Sequence, residues 1–262
     1  MVAAAHLTTL PVIKDDSDYC LTCRDFDFLR LSDQDVVNCS IGVAPLGMTP
    51  ESYKEFVRSL AYHLWRESAP VSVDVRIQGS STHFFSGKHK RMPYRREDIA
   101  QEYMLAHSDY SPPPNKLRSL EEAVQNQWPD SEPRPQQRPF DSLYRLGIHV
   151  EPSDYDVQIS CDALVQKIKD ALVYLGLRPD VFEYKKKVYR FVRRELVREH
   201  LRYLAAWEDK ATVLTGRTVS IALFGSGGPP KVRASAKNPN PMSSHFQDSD
   251  WIVPLPHFRR GG

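Results

Sequence analysis

The sequence predicts an α+β fold, with a small mixed sheet flanked by helices and interrupted by a long Pro-rich insertion. Three observations carry that expectation. Residues 71–78 (Val-Ser-Val-Asp-Val-Arg-Ile-Gln) alternate apolar and polar side chains, as a half-buried strand does. Residues 49–68 and 161–175 repeat their apolar side chains at helical spacing instead. Residues 88–140 gather Pro112, Pro113, Pro114, Pro129, Pro133, Pro135 and Pro139 among many Gln, Glu and Arg, which reads as a surface excursion rather than core.

Taken in order, residues 1–48 mix short apolar runs with polar turns and stand apart as an N-terminal segment, with residues 49–262 as the main domain. Asp25-Phe26-Asp27-Phe28-Leu29-Arg30-Leu31 alternates and is expected to be a strand. Thr49-Pro50-Glu51 opens a helix with a cap, a proline at the first position and an acid in the first turn. Phe56, Val57, Leu60, Ala61 and Leu64 form its stripe, and Pro70 ends it near Ser68. The strand at 71–78 runs into Gly79-Ser80-Ser81-Thr82 and then a basic loop, residues 83–91. Residues 116–127 predict a helix inside the insertion. A strand begins at Asp154, and the following helix carries Leu164, Val165, Ile168 and Leu172 until Gly176 terminates it. Residues 183–207 predict one long basic amphipathic helix on Val188, Phe191, Val192 and Leu196. Its Lys185, Lys186, Lys187, Arg190, Arg193 and Arg194 face either phosphates or water, paired in the second case with Glu195, Glu199 and Glu208. Residues 218–224 form a buried-type strand closed by Gly225-Ser226, and residues 251–255 a last one.

Composition narrows the function. The 262 residues are 41% hydrophobic, enough for a core, and the formal charge of +2 gives no electrostatic case for a dedicated nucleic-acid binder. A local basic groove stays open. No apolar run is long enough to span a bilayer, and the start lacks the basic residues of a signal peptide, so a cytoplasmic protein is expected. Four cysteines make no disulfide framework. Cys20 and Cys23 have zinc-type spacing without a second pair, which leaves ordinary thiols or a partial metal or redox site.

The chemistry concentrates at residues 151–160. In a strand, residues two apart share a face, so Asp154 and Asp156 aim two carboxylates at one point. Such a pair suits a hard divalent cation; the plainer alternative is two solvated acids on a strand edge. Gly79 and Ser80, followed by Lys88 and other cations, suit a polyphosphate, or else make a solvated basic loop.

The order helix, strand, Gly79-Ser80 turn, then a strand carrying Asp154-Tyr155-Asp156 resembles the DNA polymerase β-like nucleotidyltransferase superfamily. The resemblance covers roughly residues 50–175 and implies transfer of an NMP from an NTP to a hydroxyl acceptor. It implies Gly79, Ser80, Ser81 and Lys88 on the triphosphate, and Mg²⁺ or Mn²⁺ on Asp154 and Asp156. One departure is the gap of 154 − 80 = 74 positions from Ser80 to Asp154, which requires an insertion. A third acid usually completes the site. Ser249-Asp250-Trp251-Ile252-Val253 repeats Ser153-Asp154-Tyr155-Asp156-Val157 with Ile252 in place of Asp156. Asp250 is then the third acid, on a strand beside the first two. Alternatively residues 221–253 are the true module, with Asp248 and Asp250 as ligands, or they are structural. Some second-messenger synthases of the superfamily carry a third acid just ahead of an apolar-apolar-Pro run, and Asp250 before Ile252-Val253-Pro254 is similar, shifted by one residue. The acceptor is not readable: a nucleotide, RNA, a protein or a small molecule all remain. An inactive binding module, a toxin–antitoxin component and a phosphoester hydrolase are the competing classes. The 88–140 insertion or the basic tail ending Gly261-Gly262 is the segment offered to a protein partner; the tail resembles those accepted by ubiquitin-type activating enzymes, or else is simply a frayed terminus.

Overall fold

The structure, a computed structural model, describes residues 10–183, 191–229 and 250–256. The first half of the described chain contains α1 (Cys23–Leu29), α2 (Asp33–Ser40), α3 (Pro50–Arg66), β1 (Asp74–Gln78) and a one-turn α4 (Ser80–His83). The excursion that follows carries α5 (Arg96–Ala106), α6 (Pro114–Gln127) and α7 (Ser142–Arg145). Next come β2 (Tyr155–Ser160), α8 (Asp162–Tyr174), α9 (Arg194–His200), α10 (Arg202–Thr215), β3 (Val219–Phe224) and β4 (Trp251–Ile252). The fold is α+β, and its sheet has the order β3-β2-β1-β4. β2 runs parallel to β3 and antiparallel to β1, and β1 is antiparallel to β4, so the sheet is mixed.

Period-two alternation gives the sheet two unlike faces. Val75, Ile77, Tyr155, Val157, Ile159, Val219, Ile221 and Leu223 point into the main core with the apolar stripes of α3, α8 and α10. Arg76, Gln78, Asp156 and Gln158 occupy the other face. Thr49 caps α3, its hydroxyl accepting from the Ser52 amide, as the Thr-Pro-Glu start predicts. β1 is shorter than the predicted 71–78, beginning at Asp74.

Four expectations are corrected. The alternating run at 25–31 is helical in α1, because Thr22 and Asp25 form a reciprocal capping box that alternation alone does not reveal. Asp25 is buried there and accepts from Tyr19, Gln127 and Trp128, which ties the N-terminal segment to the insertion. The insertion is not mere surface. Met92, Ile99, Tyr103, Leu117, Leu120, Val124 and Trp128 make a core of their own with Leu143, Leu146 and Ile148. In the described part of the long helix expected over 183–207, Phe182 and Val192 form a bridge and two separate helices, α9 and α10, meet at Leu201. The Val192 amide bonds to the Leu223 carbonyl, so the sheet edge takes a donor a continuous helix would have used. Val188, Lys185, Lys186, Lys187 and Arg190 lie outside the described residues, as do Asp248 and the Gly-Gly tail. Finally, the last strand spans only Trp251–Ile252. The four cysteines are free thiols. Among the described residues no helix is long and apolar enough to cross a membrane.

Candidate functional site

Antiparallel pairing places the end of β1 against the start of β2. The register sets Gln78 opposite Asp156, so the chain leaves β1 through Gly79 and Ser80 beside the acids. The two motifs, 74 positions apart, are therefore separated in sequence only; a long excursion adds little closure cost to a strand pair held by its own ladder. Gly79, Ser80, Lys88, Asp154, Asp156 and Asp250 all line one open cleft of about 1200 Å³.

Gly79 has φ +102° and ψ −171°, a conformation that side-chain-bearing residues rarely adopt. No heavy atom lies within 4 Å of where a Cβ would stand, so the backbone presents itself to open space. Ser80 is largely buried yet reaches the cleft. Ser81 does not: it is buried, absent from the cleft wall, and its carbonyl accepts from the Leu46 amide at 2.8 Å. Its expected place on the triphosphate is corrected, because α4 turns it inward.

Asp154 immediately precedes β2, and Asp156 stands two residues on, on the same face. Both are exposed to the cleft. Among the described residues neither carboxylate accepts a hydrogen bond or forms an ion pair. Asp156 keeps solvent access, yet protein crowds it within the cleft. That desolvation, with the Asp154 charge beside it, pushes its carboxyl up to about 6, while Lys90 pulls it back down. Lys90 was visible in sequence only as one of several loop cations. Lys88 also lines the cleft but pairs with Asp16 at 3.2 Å. α5 supplies another wall through Glu102 and Leu105; Glu102 is bound by Arg138, with His149 at 3.6 Å.

Asp250 is placed differently from the sequence expectation. β4 borders β1 rather than β2, so Gln78 stands between Asp250 and the acid pair. The Asp250 side chain is only 3% exposed. It accepts from Arg76 at 3.0 Å and from Gln78 at 2.9 Å, and Gln78 in turn accepts from Gln158 at 2.7 Å. His83, also in the cleft, is held below the usual imidazole range by burial, against the opposing pull of Asp250.

The second Gly-Ser has another use. The Ser226 amide donates to Asp162 Oδ1 at 2.9 Å, and the Asp162 amide donates to Ser226 Oγ at 3.0 Å. Ser226 thus caps α8, whose N-cap residue Cys161 makes no side-chain cap.

Among the described residues no three His, Cys, Asp or Glu side chains converge as a metal cage. The residues that could hold a hard cation are Asp154 and Asp156, two apart in the chain, both lining the cleft and neither partnered among the described residues. Mg²⁺ in particular is commonly held by one or two carboxylates, with water and substrate phosphate completing its shell. Comparison of the chain with protein-family models, with curated proteins and with solved structures finds no match.

Proposed function

We propose that this chain is a metal-dependent nucleotidyltransferase, of nucleotidyltransferase fold, that moves an NMP from an NTP to a hydroxyl acceptor. One observation carries the reading: a glycine-serine turn and an aspartate pair without partners among the described residues, far apart in sequence, open into the same cleft. The helix α3 ahead of β1 and the exposed backbone at Gly79 support it further.

In this reading Asp154 and Asp156 would hold Mg²⁺ or Mn²⁺. The bound ion supplies charge neutralisation at the transferred phosphoryl group and a more acidic attacking hydroxyl. Gly79 admits the phosphates close to the backbone, and Ser80 offers its hydroxyl to them. Lys88 and Lys90 offset the remaining negative charge on that side of the cleft. Asp250, paired with Arg76, fixes the Gln78 side chain next to Asp156. The chain's contribution is chiefly positioning and preorganised charge, as in phosphoryl transfer generally.

A second reading, a nucleotide-binding module without chemistry, is favoured by the engagement of Asp250 with Arg76 and Gln78. The deciding experiment incubates the chain with each α-labelled NTP and Mg²⁺, then separates products by size. Labelled product that vanishes in Asp154→Ala/Asp156→Ala, with the far-UV spectrum unchanged, supports transfer. Full activity in that double variant refutes it. NTP binding with no product favours the binding module, and pyrophosphate release without a larger product points to hydrolysis.

A further inference from the structure

We propose that Arg217 and Asp141 form a clamp whose role is to set the position of the Asp154 carboxylate. The proposal rests on the metal-dependent reading of the site above. Asp154 lies just outside β2, where no ladder bond of its own orients it. Both of its neighbours are pinned instead. The Ser153 amide donates to Asp141 Oδ1 at 2.8 Å, and the Asp141 amide donates back to Ser153 Oγ at 3.1 Å. Arg217 Nη1 donates to Asp141 Oδ1 at 2.8 Å and to the Ser153 carbonyl at 3.0 Å, and Nη2 donates to Asp141 Oδ2 at 2.7 Å. Ser153 therefore has its amide, carbonyl and hydroxyl all engaged. On the other side, the Tyr155 amide donates to the Thr218 carbonyl at 2.9 Å, one residue from Arg217, and Tyr155 Oη donates to the Leu46 carbonyl at 2.8 Å.

The clamp is closed from behind. The Arg217 guanidinium lies 4.7 Å from the Phe140 ring centroid. A Cβ at Gly47 would stand 2.7 Å from Arg217 Nε and 2.8 Å from Tyr155 Oη, so the N-terminal segment seals the pocket with a residue that has none. Asp141 is fully buried and held at φ +60°, an uncommon setting for a residue with a side chain. A buried ion pair is a weak source of stability, since its desolvation cost offsets its attraction. What this pair supplies is direction: its hydrogen bonds converge on the residue preceding a proposed metal ligand. Partners hydrogen-bonded directly to a ligand are worth roughly 10- to 100-fold in metal affinity; this clamp holds the backbone one residue away, so its loss is expected at the low end of that range.

The test is the affinity of the full chain for Mn²⁺ alone, without nucleotide, measured by calorimetry or by the free-ion spin-resonance signal, with thermal melts in parallel. The variants are Arg217→Ala, Arg217→Lys, Ser153→Ala and Asp154→Ala/Asp156→Ala, with the core variant Val165→Ala as a stability control. Arg217→Ala should weaken binding by about tenfold or more, Arg217→Lys should recover part of it, and Ser153→Ala should lose about two- to threefold. Val165→Ala should lose melting temperature without losing affinity, a separation that a merely structural role for Arg217 would not produce. Wild-type affinity in folded Arg217→Ala overturns the clamp while leaving the metal site intact. If Arg217→Ala does not fold, unchanged affinity in both Arg217→Lys and Ser153→Ala overturns it. Wild-type protein that shows no Mn²⁺ binding lost in the double aspartate variant removes the underlying reading, and the clamp with it.

Discussion

Two strands of this protein end in glycine-serine, and the chain uses them in opposite ways. β1 runs into Gly79-Ser80 and β3 into Gly225-Ser226. β1 is antiparallel to β2, so its end meets the start of β2, where Asp154 and Asp156 stand. β3 is parallel to β2, so its end meets the far end of β2, with Phe224 opposite Ser160. The two turns are thus separated by the length of β2, about 17 Å for a strand of this size. The first lies in a cleft beside acids that have no partner among the described residues. The second has its serine spent on the cap of α8. The same dipeptide becomes a candidate phosphate cradle or a helix cap according to the direction of the strand beside it.

That contrast can be broken most directly at the acids. Asp154→Ala/Asp156→Ala should abolish labelled product, whereas Ser226→Ala should leave it intact; equal losses would erase the distinction between the two turns. Next in size is pH. Asp156 must be ionised to hold a cation, and its carboxyl lies at about 6, so Mn²⁺ affinity should fall as pH drops through that value. Affinity that is flat from pH 7 to 5 would place the ion elsewhere. Ser80→Ala should raise the apparent KM for NTP by about threefold, the loss expected for one hydrogen bond. Ser226→Ala should leave KM unchanged and cost about 1 kcal/mol of stability, as a lost helix cap does.

The smallest effect concerns the apo protein. Raising the folded-state carboxyl above its unfolded value means that ionised Asp156 opposes folding. The penalty is fully present above about 6 and absent below the unfolded value near 4. Asp156→Asn should therefore stabilise the metal-free chain at pH 7 by about 1 kcal/mol or less, since water still reaches the pair and screens it. Melts at pH 7 and pH 4 check it: the gain should vanish at the lower value.

Much of this was readable along the chain. Thr49-Pro50, the stripe of α3, the stop at Gly176 and the alternation of β1 depend on neighbours within a few residues, and each appears near where it was expected. Asp154 and Asp156 both open into the cleft, as two-residue spacing predicts, although β2 begins one residue after Asp154. Alternation misled at Asp25, because a capping box outweighs a short period-two pattern. Composition misled over the insertion, where prolines sit at the joints of a small helical core rather than throughout it. The apparent second copy at Asp250 matched in letters but not in position, since β4 pairs with β1.

Local spacing and capping thus sufficed for most elements, because helices and strands satisfy their backbones from nearby residues. Strand direction, and everything that depends on it, belongs to tertiary structure: which glycine-serine faces the acids, where Asp250 lies, and which residues hold Ser153. Hydrogen bonds such as Arg217 to Asp141 join positions 76 residues apart, and no periodicity in the chain encodes them.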